Sequence, residues 1–145
     1  MAGINMGRVI VGGLVAGVIV NAVESIMNVV VLAEDMRAWY AEMGIAEPGG
    51  ASLGGFVVLG FVLGILLAWI YAAIRPRFGP GPRTAVKAGL AVWVGACAIP
   101  IVGWMLMGMG LPPRVGIIML AYPLVEFLLG ALAAGALYKE EAAVA

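Results

Sequence analysis

Two carboxyls stand in the middle of apolar stretches: Glu24 within Asn21-Ala22-Val23-Glu24-Ser25-Ile26-Met27-Asn28, and Glu126 one helical turn after Tyr122. At about 100° per helical residue, Gly17, Asn21, Glu24, Ser25 and Asn28 fall within about 100° of arc. Tyr122, Glu126 and Gly130 are spaced four apart and share a face of their own. Two chemistries suit such a set. Carboxyls in hydrocarbon with no Lys or Arg beside them can take up a proton or hold a cation. Kept neutral, they can instead hydrogen-bond with Asn21, Asn28 and Tyr122 and tie helices together. Two carboxylates held close without a cation cannot both stay charged, so the expectation is one site in which at least one is protonated or a cation sits between them.

The residues that are missing narrow the chemistry further. The chain has no His and no Gln, so the usual general base near neutral pH and the usual haem ligand are absent. Ser25 has no base to activate it. Cys97 is the only cysteine; it cannot form an internal disulfide and reads as a small core residue. No phosphate-binding loop, dinucleotide fingerprint or nucleophile elbow occurs. Met105, Met107 and Met109 alternate at the end of an apolar run. Thioethers can bind Cu(I), but at a Gly-rich helix end they read as gap fillers. The expectation is no enzymatic activity, no metal, and no cofactor beyond a bound lipid or pigment. No concentrated basic face points to nucleic acid.

The elements that must position these groups follow from hydropathy. The chain is 64% hydrophobic and 11% charged, with zero net charge, where a soluble domain carries about 25% charged residues. Four apolar stretches run over 9–33, 51–74, 85–108 and 115–138. Each exceeds the roughly 20 helical residues that cross a hydrocarbon core of about 30 Å. They predict an all-α integral membrane four-helix bundle, one domain over 1–145. The start of the chain imitates a secretory signal, with Val31-Leu32-Ala33 as a cleavage-like site. Its apolar run is too long and is interrupted by Asn21, Glu24 and Asn28, so it reads as a retained helix. Counting at about 1.5 Å per residue from the outer ends puts Glu24 about 14 Å and Glu126 about 17 Å deep, in register if the first and fourth helices touch.

Charge sets the expected orientation. Arg8, Arg75, Arg77, Arg83, Lys87 and Lys139 fall on one side of the four crossings, Arg37 and Arg114 on the other. The positive-inside rule then places both termini in the cytoplasm. The 75–84 connection, with Pro76, Pro80, Pro82, Gly79 and Gly81, is expected to break the helix and to form a basic loop, Arg75, Arg77, Arg83 and Lys87, against anionic headgroups. In the acidic 34–50 loop, Met36, Trp39, Tyr40 and Met43 recur at spacings of three and four, which predicts a short amphipathic helix on the outer surface, ending near Gly44.

Lipid is as apolar as leucine, so small residues select the packing faces. Gly13 and Gly17 mark one on the first helix, Gly60, Gly64 and Ala68 on the second, Ala88, Ala91, Gly95 and Ala98 on the third, Gly130 on the fourth. Pro100 and Pro123 are expected to kink their helices.

The stretch WIYAAIRPRFGPGPRTAVKAGLAVW (Trp69–Trp93), together with GGLVAG and NAVE in the first helix, resembles a group of small bacterial four-helix membrane proteins of no known activity. The resemblance implies the topology and a bacterial inner-membrane setting, and no activity, substrate or functional residue. The reading that results is a non-enzymatic membrane protein acting by association, as an accessory subunit of a larger complex or as a homo-oligomer. Its partners would be the bilayer and other membrane subunits or copies of itself. The alternative is a small proton or cation transporter or channel using Glu24 and Glu126.

Overall fold

The computed structural model describes residues 3–140. Asn5 caps α1 (Met6–Ile26), its side-chain oxygen accepting from the Arg8 amide at 3.0 Å. A π-helical segment, Met27–Val31, continues α1 before α2 (Ala33–Met43), which Gly44 ends in the left-handed conformation, φ 66°. Then come α3 (Gly50–Phe78), α4 (Pro82–Trp93), a second π segment (Val94–Ala98), α5 (Ile99–Leu106) and α6 (Pro113–Leu137). Four helices, Met6–Val31, Gly50–Phe78, Pro82–Leu106 and Pro113–Leu137, are long and apolar enough to span a membrane.

Backbone-to-backbone contact at glycine builds the α1–α3 crossing. A Cβ on Gly13 would lie 2.5 Å from the Cα of Ile65, and one on Gly17 2.9 Å from the Cα of Phe61. A Cβ on Gly64 would run into the carbonyl oxygen of Gly13 and the amide of Gly17. No side chain fits at these positions, so helix separation is set by the absence of one. Gly89 plays the same part between α4 and α6, where a Cβ would lie 2.9 Å from the Phe127 carbonyl oxygen. Gly130 is buried against Leu67 and Ala16.

The core occupies the half of the bundle that holds the two termini. Val9, Ala16, Val20, Leu67, Tyr71, Ala88, Phe127 and Ala134 lie in it, all almost fully buried. Toward the opposite end α3 opens to the surroundings: every residue from Gly50 to Leu59 is exposed. That far end is held by buried Leu32, Ile101 and Val115 and by polar links. Arg114 pairs with Asp35 at 2.6 Å, and the Trp39 indole donates to the Met109 carbonyl at 3.2 Å.

The π segments mark two departures from the expected spans, and each has a local cause. Pro100 lacks an N–H and its ring would meet the carbonyl of Ala96. The turn widens instead, so that the Ile99 amide donates to Val94, five residues back. In the first span the Asn28 side-chain amide takes the Glu24 carbonyl at 2.9 Å, in competition with the backbone, and the Leu32 amide reaches back five residues to Met27 at 2.8 Å. Each segment adds a residue to the turn and shifts the buried face by one. The face through Ala85, Ala88, Gly89 and Val92 resumes at half-buried Cys97 and buried Ile101. The small-residue face expected through Ala88, Ala91, Gly95 and Ala98 is not a single face: Ala88 is buried, Ala91 already lies off the buried side before the π segment, and Gly95 is exposed within it. Pro123, by contrast, sits inside an unbroken α6. The Trp93 indole donates at 2.9 Å to the Leu120 carbonyl in the turn that this proline loosens.

The expected 75–84 loop is also corrected. α3 runs through Pro76 to Phe78, because a proline in the final turn forfeits one hydrogen bond without the rest of the helix depending on it. Only Gly79-Pro80-Gly81 connects it to α4. Both glycines have positive φ, 81° and 116°, and the Thr84 hydroxyl donates to the Gly79 carbonyl at 2.7 Å. Arg75 and Arg77 thus sit on the last turn of α3, and Arg83 and Lys87 on the first turns of α4, not on a loop.

Candidate intramembrane polar site

The polar stripe of α1 divides between two neighbours. Its 100° arc is wide enough to face both α3 and α6, and both pack against it. Asn21 turns to α3. Its side-chain amide donates to the Gly17 carbonyl at 2.9 Å and, across the interface, to the Val57 carbonyl at 3.2 Å. The same side chain fills the space that a Cβ on Gly60 would take. Glu24 turns to α6, where its Oε2 accepts from the Tyr122 hydroxyl at 3.1 Å and from the Asn28 amide at 2.7 Å. Ser25 is exposed and belongs to neither group. The expected six-residue site is therefore a three-residue clip, Glu24–Asn28–Tyr122, with Asn21 serving a different interface.

Glu126 is not hydrogen-bonded to that clip. It is 0% exposed, and neither carboxyl oxygen has a hydrogen-bond partner. The two carboxyls are on helices that pack against each other, and they are not hydrogen-bonded to each other. The clip accounts for Glu24 as a tie between helices, for which membrane hydrogen bonds supply about 0.6 and at most about 1.7 kcal/mol each. No described residue does the same for Glu126, and a buried carboxyl without a partner is costly.

Trp93 and Cys97 lie on the α4 side of α6 and were legible only as apolar positions. The Trp93 link to Leu120 could be anticipated from Pro123, since a proline frees acceptors in the turn before it. Among the described residues, no group of three or more Cys, Asp or Glu gathers to hold a metal ion. Met105 packs at the start of α6, where a Cβ on Gly116 would lie 2.9 Å from its sulfur; it fills space.

The chain matches no family model, no curated protein and no solved structure.

Proposed function

We propose that this is a non-enzymatic integral membrane protein that acts by association, either as a small subunit of a larger membrane assembly or with copies of itself. In this reading it resides in a bacterial inner membrane with both termini cytoplasmic, and α2 lies on the outer surface. The six-to-two division of basic residues supports that facing. One observation carries the reading: glycines that the single chain leaves unused. Gly54, Gly55, Gly95 and Gly103 lie within spans, and a Cβ at any of them would meet nothing within 4 Å. Glycine inside a helix costs about 0.5–1 kcal/mol relative to alanine. At Gly13, Gly17 and Gly64 close backbone contact offsets that cost; at these four positions no contact among the described residues does. All four sit in the half of the bundle where the helices are least enclosed. The third span is the barest, with 17% of its apolar stretch buried against 33–39% in the others. A second helix laid on that surface would give these glycines the role that Gly13 and Gly17 have inside.

Gly95→Leu and Gly103→Leu test this. Each adds a side chain where the monomer has room, so the thermal midpoint of the dissociated chain should hold or rise slightly, leucine being the better helix former. Association should weaken roughly ten-fold, the equivalent of about 1–3 kcal/mol of overpacking. Unchanged assembly in both variants, measured by cross-linking in native membranes, would contradict the proposal.

A second reading, a proton or cation site at Glu24 and Glu126, is favoured by the unpartnered carboxyl of Glu126. Flux into vesicles that Glu126→Gln abolishes would support it over simple association.

A further inference from the structure

A cleft of about 350 Å³ opens at the terminal end of the bundle, between the last turns of α3 and α6 and the first turn of α4. Tyr71, Arg75, Gly81, Ala85 and Tyr138 are among its walls. Arg75 follows Tyr71 by one helical turn, so the two side chains share a face of α3. Both are held in place. The Tyr71 hydroxyl accepts from the Gly81 amide at 3.1 Å, and its ring meets Tyr138 edge-on at 5.9 Å between centroids. The Arg75 guanidinium lies over the Tyr138 ring, 5.5 Å from its centroid. The arginine side chain is only 18% exposed.

An arginine fixed in this way is a fork of N–H donors suited to a carboxylate or a phosphate. Its donors are poorly used. Nε is buried without a hydrogen-bond partner among the described residues. Nη1 lies 2.9 Å from Oε1 of Glu140, yet that contact is an ion pair in which the N–H does not point at the oxygen. Glu140 is 38% exposed and comes from the chain just beyond α6. It is a loosely fitted carboxylate where a better acceptor could bind. Among the described residues that line the cleft, Arg75 alone is charged. The first turn of α4 has no acidic residue to oppose an anion in the cleft. Arg77, Arg83 and Lys87 stand on the same helix ends, Lys87 with its ammonium 3.6 Å from the centre of the Phe78 ring.

We propose that this cleft is a binding site for a phosphate-bearing anion, a phospholipid headgroup or a free phosphate, with Arg75 as its main ligand and Glu140 as the internal carboxylate that the phosphate displaces. The site is independent of the association reading. Tyr71 and Tyr138 supply the rigid walls, and the position at the end of two spans is the depth at which headgroups lie.

The test uses the full chain in an uncharged detergent, with short-chain phosphatidylglycerol, short-chain phosphatidylcholine and inorganic phosphate as separate probes, read by thermal midpoint and by titration. Phosphatidylglycerol should raise the midpoint and phosphatidylcholine should not. Arg75→Gln should weaken binding about ten-fold or more, the loss of a charge-assisted contact. Glu140→Gln, which removes the competing carboxylate, should tighten it. Stabilisation by phosphatidylglycerol alone identifies a lipid site; equal stabilisation by inorganic phosphate identifies a soluble ligand at the same arginine. If Arg75→Gln does not fold, Glu140→Gln decides, since its side chain is half-exposed and its ion pair is with Arg75. Binding no tighter in Glu140→Gln than in wild type, or undiminished in a folded Arg75→Gln, would overturn the proposal.

Discussion

Gly64→Leu is expected to be the most damaging single substitution in the membrane-spanning core. The first atom it adds would already collide with the Gly13 carbonyl and the Gly17 amide. These are backbone atoms of a helix interior and cannot move aside as a side-chain tip can. The two helices must separate, and with them Gly13 from Ile65 and Gly17 from Phe61. Overpacking a well-fitted interior costs about 1–3 kcal/mol. Displacing two helix backbones belongs at the upper end, which for a chain of this length lowers the thermal midpoint by roughly 10 °C. Gly54→Leu, on the same helix but with open space around it in the single chain, is the control and should leave the midpoint of the dissociated chain within a few degrees. Equal midpoints for wild type and Gly64→Leu would mean that α1 and α3 do not cross as described.

That crossing was the most legible part of the fold, because hydropathy fixed four spans and small-residue spacing marked Gly13, Gly17, Gly60 and Gly64. The third span shows the limit of the same reasoning. Its expected face assumed an unbroken period of 3.6 residues, and the π segment before Pro100 shifted the phase by one residue. Proline in a sequence announces a disturbance but not whether the helix kinks, widens or, as at Pro123, continues. Pro76 was misread for a related reason: within the last turn a proline removes a single hydrogen bond, and α3 extends past it.

The candidate site was legible as a set of residues and not as a geometry. Angular position placed Asn21, Glu24, Ser25 and Asn28 together on α1, but not the boundary between the part facing α3 and the part facing α6. Asn21 went to one side, Glu24 and Asn28 to the other, and Ser25 to neither. Nor could spacing show that Tyr122 would pair with Glu24 while Glu126, one turn on, would have no partner. The Arg75 cleft was hidden for a simpler reason: Tyr71, Arg75 and Tyr138 meet only through the packing of α3 against α6.

Glu126→Met is expected to stabilise the protein, against the usual trend for a buried substitution. Methionine has the length of glutamate and adapts to an irregular cavity. The exchange removes a buried carboxyl whose two oxygens make no hydrogen bond and replaces it with a group that needs none. Relief of an unsatisfied buried polar group is worth about 1–3 kcal/mol, several degrees of midpoint in a chain of this size. Glu24→Met should act in the opposite sense, because it strips the acceptor from Tyr122 and Asn28. Opposite signs for the two carboxyls would establish that only Glu24 ties helices together, and that Glu126 is retained for a reason other than stability. A fall in midpoint for both would make Glu126 a second structural tie. Under the proton or cation reading, Glu126→Met also loses all flux while the fold survives.

The central claim, function by association, is tested most directly by the mass of the particle extracted from native membranes in a lipid-retaining polymer, without detergent. The single chain is 14.9 kDa. The proposal predicts a discrete particle containing two or more copies of the chain, or the chain with other membrane subunits in fixed ratio, which Gly95→Leu and Gly103→Leu shift toward the single-chain mass. A particle holding one 14.9 kDa chain and lipid alone, at native abundance, would contradict it.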